Sequence, residues 1–258
     1  MTAKQGSKAM PIISILLAGW LAAVFPAAAG AAEVDHARQY HACMILVKRD
    51  PEEAFESALA WRDMGGGGAA NHCVAAALMG LKQYGEAAKR FESLAQKRQA
   101  AGIKAGLLGH AAQAWLLHGM PERADKVLST ALEIRPLNVD LRIDRAVARA
   151  TLGRYPDAVG DLNQAINLDS GRPDAFVFRA NAYRYLDNLD KAEADANRAL
   201  GLNPDHPDGL LERGTIRHLK GNNSGARSDW LRVLRESPGT AAAAAARANL
   251  EKIDIKTE

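Results

Sequence analysis

The sequence predicts an all-α solenoid of antiparallel helix pairs closed by a C-terminal helix, and three observations carry that prediction. An alanine opens the second helix of each pair at Ala54, Ala87, Ala124, Ala158, Ala192 and Ala226, in steps of 33, 37, 34, 34 and 34 residues. In the last four cases a proline or serine closes the segment about twelve residues on, at Pro136, Ser170, Pro204 and Pro238. Apolar residues recur at spacings of three and four, as in Ala158, Leu162 and Ala165, which is the stripe of an amphipathic helix. A fixed period in this range marks stacked helix pairs, because one pair alone cannot bury its apolar face.

Residues 1–32 read as a secretory signal. Lys4 and Lys8 give a basic start, Ile12 to Phe25 is an apolar stretch short for a membrane span, and small residues up to Ala32 offer cleavage sites. The alternative is retention of this segment as an anchor. With Lys4 and Lys8 set aside, 31 basic residues face 30 acidic ones, a balance that does not point to nucleic acid.

Residues 33–104 read as two divergent helix pairs, with the Gly65 to Gly68 run as a flexible connection between them. Cys43 and Cys73 fall on the first helices of these pairs. An exported protein with two cysteines is expected to join them as a disulfide. The rival is a metal-binding or redox site made of His41, Cys43, His72 and Cys73. Residues one or two apart point to different sides of a helix, which argues against it.

Residues 105–240 hold four regular repeats: Ala105 to Asn138, Val139 to Arg172, Pro173 to His206 and Pro207 to Thr240. First helices carry a large, a small and a large residue, as in Leu108, Ala112 and Trp115 or Phe176, Ala180 and Tyr183. Turns follow at Gly119, Gly153, Asp187 and Gly221. Arg145, Arg179 and Arg213 recur at the same period, each sixteen residues before Asp161, Asp195 and Asp229. In the preceding repeat both positions are uncharged, at Ala111 and Val127, and this joint absence predicts an ion pair between the two helices of a repeat. An arginine ladder for an anionic ligand is the alternative. Residues 241–258 predict a capping helix with Thr240 as N-cap and an apolar edge at Leu250, Ile253 and Ile255.

Ala175-Phe176 through Leu200, ending Gly201-Leu202-Asn203-Pro204, resembles the tetratricopeptide repeat family at nearly every signature position. Gly153-Arg154-Tyr155-Pro156-Asp157-Ala158 and Lys82-Gln83-Tyr84-Gly85-Glu86-Ala87 are similar to the family's turn into its second helix. The resemblance covers about residues 35 to 240 and implies a right-handed superhelix with a concave groove lined by first helices.

Helical phase places Gln113, Leu116 and Leu117, then Ile143, Val147 and Thr151, then Val177, Asn181, Arg184 and Tyr185, then Leu211, Thr215 and His218 on that groove. The mixture suits a protein or peptide, with apolar anchors and a central aromatic and arginine. Family members that grip a terminal carboxylate use a lysine and asparagine set, and Asn181 alone matches it here. A second reading has this face packed on the chain's own terminal helix.

No phosphate loop, nucleophile elbow or haem-attachment motif is present, so a non-enzymatic scaffold of the bacterial periplasm without cofactors is expected, its partner lying in the cell envelope and its work the assembly of an envelope complex. Self-association through convex or end surfaces is the alternative architecture.

Overall fold

The computed structural model describes Met1, Thr2, residues 35–97 and residues 100–255, with side chains as far as Ile253. The signal segment expected over 1–32 lies outside the described residues apart from Met1 and Thr2. From Asp35 onward the described residues form one compact unit of thirteen α-helices, with no strand among them.

Six antiparallel pairs follow one another: α1 (His36–Arg49) with α2 (Pro51–Trp61), α3 (Gly67–Gly80) with α4 (Tyr84–Gln96), and α5 (Ala101–Leu117) with α6 (Pro121–Ile134). The series continues with α7 (Val139–Thr151) and α8 (Tyr155–Leu168), α9 (Pro173–Tyr185) and α10 (Leu189–Leu202), and α11 (Pro207–Leu219) and α12 (Asn223–Glu236), before the single helix α13 (Ala241–Ile255). Each helix packs on its neighbours in the chain, and first helices of adjacent pairs also touch, as α7 does α9 and α9 does α11. No helix among the described residues is long and apolar enough to cross a membrane.

The periodic alanines occupy the tightest positions. Ala54, Ala87, Ala124, Ala158, Ala192 and Ala226 are all fully buried, since only a methyl group fits where two helix axes cross closely. Opposite them the packing is complementary. Ala112, Ala146 and Ala180 face second helices that carry Leu128, Leu162 and Ala196. In the last pair Gly214 faces Trp230, and a Cβ on Gly214 would come within 2.6 Å of the indole Cδ1. The larger side chain on α12 is thus accommodated by the smaller one on α11.

Turns between paired helices repeat with the same period. Gly119, Gly153 and Gly221 have φ of 77, 74 and 82°, and Asp187 and Lys82 adopt the same left-handed conformation at 56 and 60°. In each turn the next residue's N–H reaches back to close the helix end, as Arg154 N does to the Arg149 carbonyl at 2.8 Å.

The glycine run differs from the sequence expectation. Residues 62–66 form one wide helical turn, Gly65 and Gly67 take positive φ, and α3 begins at Gly67. Gly66 lies so close to Trp61 that a Cβ would sit 2.7 Å from the indole Nε1. Gly66 is thus a close-packed position in a run whose other glycines are exposed, and Gly65 and Gly67 supply the backbone angles that the junction needs.

At the other end, Thr240 Oγ1 accepts the Ala243 N–H at 3.1 Å and starts α13. Its Ala242, Ala243, Ala246, Leu250 and Ile253 bury themselves against Leu210, Trp230 and Val233. The terminal helix therefore seals the last pair, packing on α11 and α12 at the end of the stack.

Candidate functional site

The three Arg/Asp pairs join the helices of single repeats. Arg145, Arg179 and Arg213 each present Nε and Nη2 to both carboxylate oxygens of Asp161, Asp195 and Asp229 at 2.7 to 2.9 Å. The aspartates are 2, 7 and 4% exposed. The remaining Nη1 of each arginine reaches the preceding repeat, donating to Ser129 Oγ at 3.2 Å, Asn163 Oδ1 at 2.7 Å and Asn197 Oδ1 at 3.0 Å. Each arginine thus ties its own two helices together and docks them on the pair before. Ser129, Asn163 and Asn197 are themselves 34 residues apart, a periodicity visible in the sequence that the pairing argument left aside. With all three guanidinium groups so occupied, the arrangement is structural, and these arginines offer no ladder of free cations to an anion.

The first helices line a cavity of about 490 Å³ between α7, α9 and α11. Val147, Thr151, Val177, Asn181, Tyr185 and Leu211 from the expected groove set line it. Phe178, Asp208 and Glu212 line it too and were missed. Ile143 is a correction: it is 5% exposed and packed in the core with Ala146, Ala158 and Leu162. One position further along each helix, the column His110, Asp144, Phe178 and Glu212 at 34-residue intervals also lines the cavities of this side.

Asn181 and Arg184 are not free hands. Arg184 Nε donates to Glu212 Oε1 at 2.6 Å, and Asn181 Nδ2 donates to Glu212 Oε2 at 3.2 Å, so both hold α9 to α11 around a buried carboxylate. Tyr185 remains 55% exposed. Its ring stacks on Tyr155 at 4.6 Å between centroids and lies under the Arg184 guanidinium, which fixes its orientation.

The other expected positions do not line this cavity. Gln113 lies in a neighbouring one and donates to Asp144 Oδ2 at 3.1 Å. Burial pushes the Asp144 carboxyl above the usual range, with Gln113 opposing and Asp140 reinforcing the shift. Leu116 is half-buried and Leu117 exposed at the end of α5. Thr215 donates to the Leu211 carbonyl of its own helix, and His218 is engaged with Asn223.

At the N-terminal end Cys43 and Cys73 form a disulfide between α1 and α3, with Cα atoms 6.3 Å apart. Both sulfurs are thereby used, and no cluster of three or more metal-ligating acidic, His or Cys side chains exists among the described residues. His41 is exposed, whereas His72 turns inward, paired with the Tyr40 hydroxyl at 3.1 Å and in ring contact with Phe91 and His110. Tyr40, His72 and His110, together with Leu94, Ile103 and Leu107, line a second cavity of about 430 Å³.

Burial, and then the neighbouring His110, lower the His72 pKa to about 4 from 6.5. Between those values an unfolded chain takes up a proton that the folded one refuses, so this contribution is complete above the unfolded pKa and is lost as pH falls through the window. With partial solvent access discounted, a loss of about 1 to 2 kcal/mol is expected by about pH 4.5. Denaturant melts at neutral and acid pH should show a smaller acid loss for His72→Gln than for the parent. An equal loss would refute the assignment.

A tetratricopeptide repeat family model matches residues 116–173 and 179–246. The chain is a tetratricopeptide repeat protein. Solved structures agree on the fold of this repeat protein. A thermophilic repeat protein of Thermus thermophilus is 20% identical, with a TM-score of 0.57 over 68% of this chain and 96% of that one. BtubC from P. vanneervenii is 16% identical, with a TM-score of 0.58 over 79% and 91%. The C-terminal part of a repeat protein from Cytophaga hutchinsonii is 19% identical, with a TM-score of 0.58 over 78% and 81%. No curated protein sequence matches this repeat protein.

Proposed function

We propose that this protein is an exported, non-enzymatic scaffold that holds a peptide segment of another cell-envelope protein in its concave groove. The cavity between α7, α9 and α11 carries the reading: apolar walls from Val147, Val177 and Leu211, an exposed aromatic at Tyr185, and polar groups at Asn181 and Glu212. Stacked repeats create such extended concave surfaces, and binding energy at them concentrates on a few aromatic anchors set in pockets. The Cys43–Cys73 bond supports an oxidising compartment, in keeping with the basic and apolar leader.

Asn181 and Arg184 brace Glu212, so changing them would disturb the stack itself. Phe178 and Tyr185 are 38 and 55% exposed and can be changed without that penalty. Crosslinked capture from periplasmic extract with the parent and with Phe178→Ser/Tyr185→Ser tests the reading. Capture should fall roughly tenfold or more, as loss of about 1.4 kcal/mol or more at an aromatic anchor requires, while helicity and elution volume stay unchanged. Undiminished capture would move the function to the convex or end surfaces, and a changed elution volume would favour self-association through them.

A further inference from the structure

The groove has a sign of charge. Asp140, Asp174 and Asp208 recur at 34-residue intervals near the starts of α7, α9 and α11, and Asp144 and Glu212 follow four residues after the first and last of them. Residues four apart share a helix face, so these carboxylates stand on one side of the stack.

Their compensation is periodic and then stops. Arg172 Nη1 donates to Asp140 at 2.7 Å, and His206, thirty-four residues later, pairs with Asp174 at 2.9 Å. His206 also accepts the Gly209 N–H at Nδ1, so the ring is held between the start of α11 and Asp174. The next position in the series is Thr240, which turns instead to cap α13. Among the described residues, Asp208 therefore lines the 490 Å³ cavity without the ring or guanidinium partner its two equivalents have. Arg184 is bound to Glu212, and Arg135 and Arg172 lie further along, beside Asp140. Five carboxylates thus meet three guanidinium groups on the described part of this face.

We propose that the occupant of the groove is a cationic peptide segment, with a lysine or arginine side chain laid along Phe178 and its charge on Asp208, and a further side chain of the segment against Tyr185. This rests on the groove reading above and names the chemistry of the partner. An aromatic ring receives the apolar stem and attracts the cation, and the carboxylate completes the pairing. The same surface rejects an acidic segment, because bringing a like charge to Asp208 costs affinity.

Fluorescence anisotropy on the full disulfide-bonded protein decides it, using three labelled, amidated probes: Gly-Lys-Phe-Lys-Leu-Lys-Gly and its counterparts with glutamine or glutamate at each lysine. The lysine probe is expected to bind roughly tenfold more tightly than the glutamine probe at about 50 mM salt, with the difference collapsing near 0.5 M. Asp208→Asn, at an exposed position, should weaken the lysine probe by roughly three- to fivefold and leave the glutamine probe unchanged. A glutamate probe that binds as well as the lysine probe, or lysine binding indifferent to Asp208→Asn, overturns the inference. If Phe178→Ser/Tyr185→Ser weakens the probes in either case, the groove reading survives and only the charge assignment falls. If that variant changes none of them, or no probe binds, both fall together.

Discussion

Replacing Arg179 by alanine is expected to destabilise the protein by about 3 to 5 kcal/mol, more than the same change at Arg145 or Arg213. The three arginines make the same two-pronged contact, but their aspartates differ in what else they hold. Asp161 also accepts Arg149 Nη1 at 2.8 Å, and Asp229 accepts Arg217 Nη1 at 2.9 Å. The equivalent residue in the middle repeat is Tyr183, so among the described residues Arg179 is the cation that Asp195 has. Removing Arg179 leaves a carboxylate 7% exposed with no countercharge, and also releases Asn163 on the preceding repeat. Removing Arg145 or Arg213 leaves a charge still paired, at an expected cost of about 1 to 2 kcal/mol. Urea denaturation of the three variants, with the exposed Ser170→Ala as a control, would show the order. Equal losses for all three arginines would mean that the second arginine at Asp161 and Asp229 contributes nothing.

The same residues show what sequence could and could not disclose. Pairing was legible because presence and absence recurred together in one chain: charges at 145 and 161, none at 111 and 127. The second arginine was not, since Arg149 and Arg217 lie in alternate repeats, and a motif that skips a repeat looks like surface variation. Six expected groove residues, among them Val177 and Leu211, do line the cavity, whereas Ile143 in the same 34-residue column is taken up by the core of its own repeat. Apolar residues on a first helix serve the stack as well as a ligand, and spacing alone does not tell the two apart. The column beside them, His110, Asp144, Phe178 and Glu212, lacks any uniform chemistry and so carried no pattern. His72 and His110, 38 residues apart on neighbouring first helices, are brought into contact only by the superhelix, and no spacing rule within one helix could join them.

These two kinds of legibility follow from the physics of a solenoid. Contacts within and between adjacent repeats are made many times over, so selection for packing writes them periodically. A binding site is made once, on positions whose only shared property is that they face inward. Thr240 illustrates the overlap: it ends the arginine and histidine series that answers the groove aspartates because the chain there must begin a cap.

Deleting residues 241–258 is expected to remove about 4 to 8 kcal/mol and to make the protein aggregate. The size of the loss follows from burial: Leu250 and Ile253 each contribute about 1.5 to 3 kcal/mol, and three buried alanines on α13 add smaller amounts. More important is what the deletion uncovers. Trp230, Val233 and Leu210 are at most 1% exposed, and they face α13 as each internal pair faces the next one. Without the cap they form an apolar end that a second copy could cover, and stacks without a polar-backed terminus are insoluble for that reason. Two effects must be separated, lost stability and exposed surface. Leu250→Ala loosens the seal while leaving it in place, so it should lower stability by about 2 to 4 kcal/mol with the protein still monodisperse by light scattering. Truncation should change both measurements. If the truncated protein melts at the parental temperature and stays monodisperse, α13 is an appendage, and the last repeat must be closed by its own tryptophan packed into the space that Gly214 leaves.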